Sequence, residues 1–340
     1  MTTLQIIWFF LFFFFIIGYA ILDGFDLGVG ILHLFTRKKN ERQILKKAIA
    51  PFWDGNEVWL ITAGAVLFAA FPPVYATLFS SFYLPFMLLL LALIFRAVSL
   101  EFQHQLADPR WTATWDLAFG LASALPALLL GVALGNVLRG LPLEENAVFS
   151  GSFPKLLNPY ALLAGAFSLV TFTMHGAAYL ALKTDGPLQA RMQKWLARSW
   201  IAFILLQIAL VVSSFFQAGH LFENMLQNPF FWLFLILLWA AAVSIPVANK
   251  TGRFLRGFLA SSLVILSLLG LAAVGLFPRL IPSLTNPKYS LTVYNASSTP
   301  KTLTVMLIIT LIGMPLVIAY TAFIYRVFKG KTPMTAQDHY

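Results

Sequence analysis

The sequence predicts an all-α integral membrane protein of about nine transmembrane helices. Three observations carry that prediction. The mean hydropathy is +0.81, with 59% of the 340 residues hydrophobic and only 11% charged. Apolar runs of about 20 residues, the length a helix needs to cross hydrocarbon, recur along the whole chain. The sparse Lys and Arg gather in alternate connections between those runs, as they do in the short loops of polytopic proteins. A soluble domain carries about a quarter charged residues. At this composition an aqueous surface would be largely apolar, and lipid removes the conflict. The 33 Phe, 9 Trp and 10 Tyr suit lipid-facing surfaces and interfacial belts.

Nine spans are read: 4–34, 52–70, 76–100, 114–138, 160–182, 199–216, 229–247, 254–277 and 303–328. The first lacks a basic n-region and a small-residue cleavage site, so it reads as a retained helix rather than a signal peptide. Residues 36–50 carry charges on a helical period and read as an amphipathic segment on the membrane surface. The stretch 278–301, with Pro282, Asn286 and Pro287, reads as a loop, and its Asn295-Ala296-Ser297 has glycosylation spacing. No internal repeat stands out, so residues 1–340 are taken as a single polytopic membrane domain.

Orientation follows from the basic residues. Arg37, Lys38, Lys39, Arg42, Lys46, Lys47, Arg110, Lys183, Arg191, Lys194, Arg198, Lys250, Arg253, Arg256, Arg326, Lys329 and Lys331 fall on one set of connections. The alternate set holds Arg139, Lys155, Arg279, Lys288 and Lys301. The expected N-terminus is therefore outside and the C-terminus cytoplasmic. The net charge of +10 is accounted for by these anchors; no basic domain exists to bind nucleic acid, and none is expected as a partner.

Ionisable groups within hydrocarbon are costly and are candidates for function. Asp23 and Asp26 lie in the first span, Asp54 and Glu57 in the second, Glu101 at the end of the third and Asp116 at the start of the fourth, with Arg96 late in the third. Span direction places all six acids toward the cytoplasmic side. Asp23 and Asp26 are three apart, as are Asp54 and Glu57, so each pair shares a helix face. If those faces meet, they form a carboxylate cluster that can relay protons. The competing readings are plain: Asp54 as a helix cap, Arg96 as a partner for one buried acid, Glu101 and Asp116 as ordinary interfacial charges.

Without cysteine the chain can hold no disulfide, iron–sulfur cluster or thiolate-ligated haem. The histidines are His33, His104, His175, His220 and His339. Only His175 is well inside a span, and His33 is near an end. Either reads first as a hydrogen-bonded core residue, so no metal or haem site is assigned to this chain.

Several stretches resemble subunit II of cytochrome bd-type quinol oxidases, the cyanide-insensitive type included. They are GYAILDGFDLGVG (18–30), PFWDGNEVWLITAGAVLFAAFPPVYA (51–76), FYLPFMLLLLALIFRAVSLEF (82–102), LLNPYALLAG (156–165), HGAAYLALKT (175–184) and the closing NASS and YRVFKGK. The most specific parts are the runs Asp23 to Asp26 and Trp53 to Asn56. The resemblance spans essentially the whole chain, in order.

It implies two four-helix bundles plus a peripheral helix, in a multi-pass protein of the bacterial cytoplasmic (inner) membrane. It implies a haem-free subunit that packs against subunit I, which bears the b- and d-type haems and oxidises quinol while O2 is reduced to water. Small single-span accessory subunits and lipids are the further partners it suggests. In such a family, acids matching Asp54, Asp26 and Asp23 are linked to proton delivery, with Glu57 beside them here. The alternative is a stand-alone proton- or cation-coupled transporter, which would want repeated halves around a midplane site; a third reading is a purely structural subunit.

Overall fold

The computed structural model describes residues 1–103, 105–223 and 225–332. Twelve α-helices follow in order: α1 Thr2–Leu34, α2 Lys39–Ile49, α3 Trp53–Ala70, α4 Pro72–Ser81, α5 Tyr83–Phe102, α6 Pro109–Arg139, α7 Phe153–Leu156, α8 Pro159–Lys183, α9 Gly186–Gln217, α10 Pro229–Lys250, α11 Phe254–Leu276 and α12 Pro300–Val327.

Local chemistry sets many of the boundaries. α6, α8, α10 and α12 each begin at a proline preceded by Asp108, Asn158, Asn228 or Thr299, whose side chain accepts a hydrogen bond from a first-turn amide. Proline at the first helical position has no amide to leave unpaired, and the capping side chain satisfies one of the remaining orphan donors. α6 accordingly begins five residues before the hydropathic run that marks its span.

Eight of these helices are long and apolar enough to cross a membrane. The ninth expected span, α3, is 18 residues long. Its Asp54, Asn56 and Glu57 lower its hydropathy. The expected span 76–100 is two helices meeting at Phe82 (φ −102°, ψ 26°). Pro85 lies four residues after Ser81, where it can neither donate to that carbonyl nor fit beneath it, so the helix axis is interrupted there. The stretch expected as a plain loop contains two short antiparallel strands, β1 Arg279–Ile281 and β2 Leu291–Thr292. Within it, Asn295 donates to the Ser290 carbonyl (3.0 Å) and accepts from the Thr292 amide (2.7 Å). Its amide is thus a structural tie.

The spans form two four-helix bundles. In the first, α5 packs on α6, α6 on α1 and α1 on α3; in the second, α8 packs on α9 and α11, and α9 and α11 on α10. α1 and α6 both pack on α8, which joins the bundles. The joint is close because glycines meet: a Cβ on Gly28 of α1 would strike the Phe172 carbonyl and the backbone of Gly176 in α8. The peripheral helix is α12, which touches α1 and α3 and whose only fully buried residue is Leu303. α2 lies across one end of the molecule. It buries Ile44, Leu45, Ala48 and Ile49 and accepts a hydrogen bond from Tyr179 of α8 at the Ala48 carbonyl (2.6 Å).

Candidate functional site

The end of the first bundle that carries α2 also collects the charges. There the last third of α1, the first turns of α3 and the last turns of α5 lie side by side. Asp23 (0% exposed) and Arg96 (1% exposed) face each other in a two-pronged ion pair. Arg96 Nη1 donates to Asp23 Oδ2 at 3.0 Å, and Nη2 donates to Oδ1. The planar guanidinium fits a carboxylate in this way, with both oxygens used. Arg96 Nη2 also lies 3.7 Å from Glu57 Oε2, whose side chain is 17% exposed. One arginine thus ties α5 to both α1 and α3.

One turn further along α1, Asp26 is also fully buried. Its Oδ2 accepts from Asn56 Nδ2 at 2.7 Å, and the same amide lies 3.1 Å from the Leu22 carbonyl. Asn56 Oδ1 accepts from Tyr325 of the peripheral helix at 3.3 Å. Asn56 is therefore held from two helices at once. Asp26 Oδ1 is buried with no hydrogen-bond partner among the described residues.

The four acids singled out by spacing thus occupy different settings. Asp23 and Glu57 share Arg96. Asp26 lies beside them with an oxygen uncommitted. Asp54 is exposed, one turn before Glu57 in the first turn of α3. Asp54 is not the helix cap, because the capping position is Phe52. Glu101 is exposed.

Asp116 is not an ordinary interfacial charge. It is buried, 2.6 Å from Lys46 Nζ, 3.1 Å from Arg42 Nη1 and 3.3 Å from His33 Nε2. Lys46 also donates to Gln103. Burial lowers the Lys46 ammonium below the ordinary lysine pKa, and Asp116 pulls the other way. Sequence spacing could not reveal this second centre, because its members come from α1, α2 and α6. Asn56 and Tyr325 were missed for a simpler reason: neither is charged. An amide inside an apolar span is itself costly, and that signal was available for Asn56.

Of the five histidines, His220 is partly buried, its Nε2 without a hydrogen-bond partner among the described residues. His175 is fully buried, with Nε2 donating to the Ile21 carbonyl (2.9 Å) and Nδ1 2.7 Å from Ser261 Oγ. Both ring nitrogens are committed. His33 belongs to the Asp116 centre. His104 and His339 lie outside the described residues.

Fold and site together define a polytopic helical membrane protein with a buried acid–arginine centre at one end of one bundle. The family model described as cytochrome bd terminal oxidase subunit II matches residues 4–328. The probable cytochrome oxidase subunit 2 of Haemophilus influenzae is 36% identical over 96% of this chain and 95% of its own length. Cytochrome bd-I ubiquinol oxidase subunit 2 of Escherichia coli is 34% identical over 99% of this chain and 96% of its own length. A chain in the structure of bd oxidase from Geobacillus thermodenitrificans superposes with a TM-score of 0.80 at 19% identity, covering 96% of this chain and 98% of that one. The chain belongs to the cytochrome bd terminal oxidase subunit II family. It is therefore a multi-pass membrane subunit of a terminal oxidase, as the motifs at 18–30 and 51–76 led one to expect.

Proposed function

We propose that this chain scaffolds a haem-bearing subunit I in the bacterial inner membrane and supplies it with protons from the cytoplasm while quinol is oxidised and O2 reduced to water. In this reading the haems and the quinol site belong to the partner. The cytoplasmic assignment rests on the basic residues at the α2 end of the molecule.

The observation that supports the proton role most is the graded burial of the acids: Asp54 exposed, Glu57 partly exposed, Asp26 fully buried with one oxygen uncommitted. A proton can be taken up at Asp54, passed by way of Glu57 and held at Asp26. Asp23 has a different part. Both of its oxygens are occupied by Arg96, so it positions the guanidinium rather than carrying a proton. Asn56 orients Asp26. A stand-alone transporter fits less well, because the helices of the second bundle contain no Asp or Glu and the acids sit at one end rather than at a midplane between repeats.

The test is Asp54→Asn in the purified complex. Quinol oxidase turnover is expected to fall roughly 100-fold or more, the scale on which a lost proton-transfer group acts, while the complex keeps its full haem spectrum. Unchanged turnover removes Asp54 from the mechanism. Purification in mild detergent tests the scaffold: the chain should emerge with a larger haem-bearing partner, and a colourless chain emerging alone would support the transporter reading.

A further inference from the structure

A cavity of about 260 Å³ opens where α2 crosses the connection between α5 and α6. It is separate from the Asp23–Arg96 centre, and the proton-uptake reading does not use it. Its cationic wall comes from one face of α2: Lys39, Arg42 and Lys46. Its acids are Asp116, at the bottom, and Asp108, whose Oδ1 accepts from the Arg110 amide at the start of α6. Three cations against two carboxylates leave one positive charge in excess. Gln43 and Thr112 add polar groups to the wall.

Two further features fix the surroundings. The rim carries Leu106, 54% exposed, together with Pro109. Beside it, Phe102, Trp115 and Trp111 form an edge-to-face series of rings, and Trp111 Nε1 donates to the Phe102 carbonyl (2.8 Å). Such indole groups mark the level of lipid headgroups. The cavity therefore lies at the membrane interface, cationic within and apolar at its lip.

We propose that this pocket binds the phosphodiester of an anionic phospholipid, with Lys39 and Arg42 holding the phosphate and the acyl chains leaving past Leu106. A phosphodiester brings a single negative charge, which matches the excess. Basic pockets between spans at the cytoplasmic face are suited to such headgroups. Lys46 is engaged by Asp116 and Gln103 and forms the fixed floor. Arg42 commits Nη1 to Asp116 (3.1 Å) and Nε to the Thr36 carbonyl (2.6 Å), so its remaining Nη2 group and the exposed Lys39 are what hold the phosphate. The apolar lip distinguishes a lipid from free phosphate, which would gain nothing from Leu106.

The test uses the whole oxidase complex, delipidated in detergent and examined by native mass spectrometry after adding phosphatidylglycerol, phosphatidylcholine or inorganic phosphate. The wild-type complex is expected to retain at least one more phosphatidylglycerol than the Lys39→Gln/Arg42→Gln variant, with roughly tenfold weaker apparent binding in the variant and a loss of affinity as salt is raised. Lys39→Glu alone, at an exposed position, should weaken binding in the same direction. Equal phosphatidylglycerol retention in wild type and both variants would overturn the proposal. So would equal retention of zwitterionic phosphatidylcholine, or displacement of the lipid by millimolar inorganic phosphate.

Discussion

In the bundle of α1, α3, α5 and α6, an arginine and an aspartate are 1% and 0% exposed, and a second aspartate is fully buried one turn away. In the bundle of α8 to α11 no helix contains an Asp or Glu. Its buried ionisable side chains include Tyr179, Lys183 and His175. His175 is bound on both ring nitrogens by neutral groups and stacked on Phe258 with ring centroids 5.0 Å apart. The contrast is one of cost. Moving an ion out of water costs several kcal/mol even after the protein relaxes, whereas a hydrogen-bonded neutral group costs little. A fold that needed only packing could be built throughout like the second bundle. The first bundle tolerates buried charge, and that is where chemistry is to be sought.

The sharpest way to break this comparison is Arg96→Leu. It removes the partner of Asp23 while leaving the carboxylate buried. Breaking a buried ion pair in this way costs about 3–5 kcal/mol. Assembly of the complex should collapse or its Tm fall steeply. The control is Arg279→Gln on the exposed Arg279–Glu223 pair (3.4 Å), where a surface ion pair is worth about 0–1 kcal/mol. Equal behaviour of the two variants, measured as assembled complex per cell and as Tm, would show that the buried pair has no special structural weight.

Next in size is Asp26→Asn. The amide is nearly isosteric and can keep its contact with Asn56, so the fold should survive. It cannot carry a proton between two acids. Turnover should drop by about 100-fold, the low end of the range for a general acid–base group, with the haem spectrum intact. Asp23→Asn should behave differently, losing stability first because Arg96 is left unpaired. If the two aspartate variants cannot be told apart, the division of roles between them is wrong.

How much of this was legible beforehand depends on whether the signal was local. Length and hydropathy located the spans, because lipid imposes them residue by residue. The pairs Asp23/Asp26 and Asp54/Glu57 stood out because a charge in an apolar run is conspicuous. The partners were not legible. Asp116 meets Arg42 and Lys46 across 74 and 70 residues of sequence, and Tyr325 reaches Asn56 across 269; no local pattern encodes such meetings. The break at Phe82 was masked by hydropathy, which is blind to the missing amide of Pro85. That Asp54 is exposed while Asp26 is buried depends on which face of α3 turns toward α1, and the three-residue spacing fixes only that each pair shares a face.

The smallest expected effect lies in the second bundle and tests its supporting part. His175→Gln removes a ring wedged between Phe258, Ser261 and the Ile21 carbonyl. Glutamine can replace one hydrogen bond but not both, and it cannot stack. The group left without a partner costs about 1–3 kcal/mol, so Tm should fall by a few degrees and less than in Arg96→Leu. Turnover per assembled complex, by contrast, should match the wild type, because nothing at His175 moves a proton between acids. The informative quantity is therefore the ratio of the two readouts. Asp26→Asn should change turnover at nearly constant Tm, and His175→Gln should change Tm at constant turnover. A His175 variant that loses turnover in proportion to Asp26→Asn would mean that the second bundle takes part in the chemistry, and the contrast between charged and neutral interiors would no longer separate working parts from supporting ones.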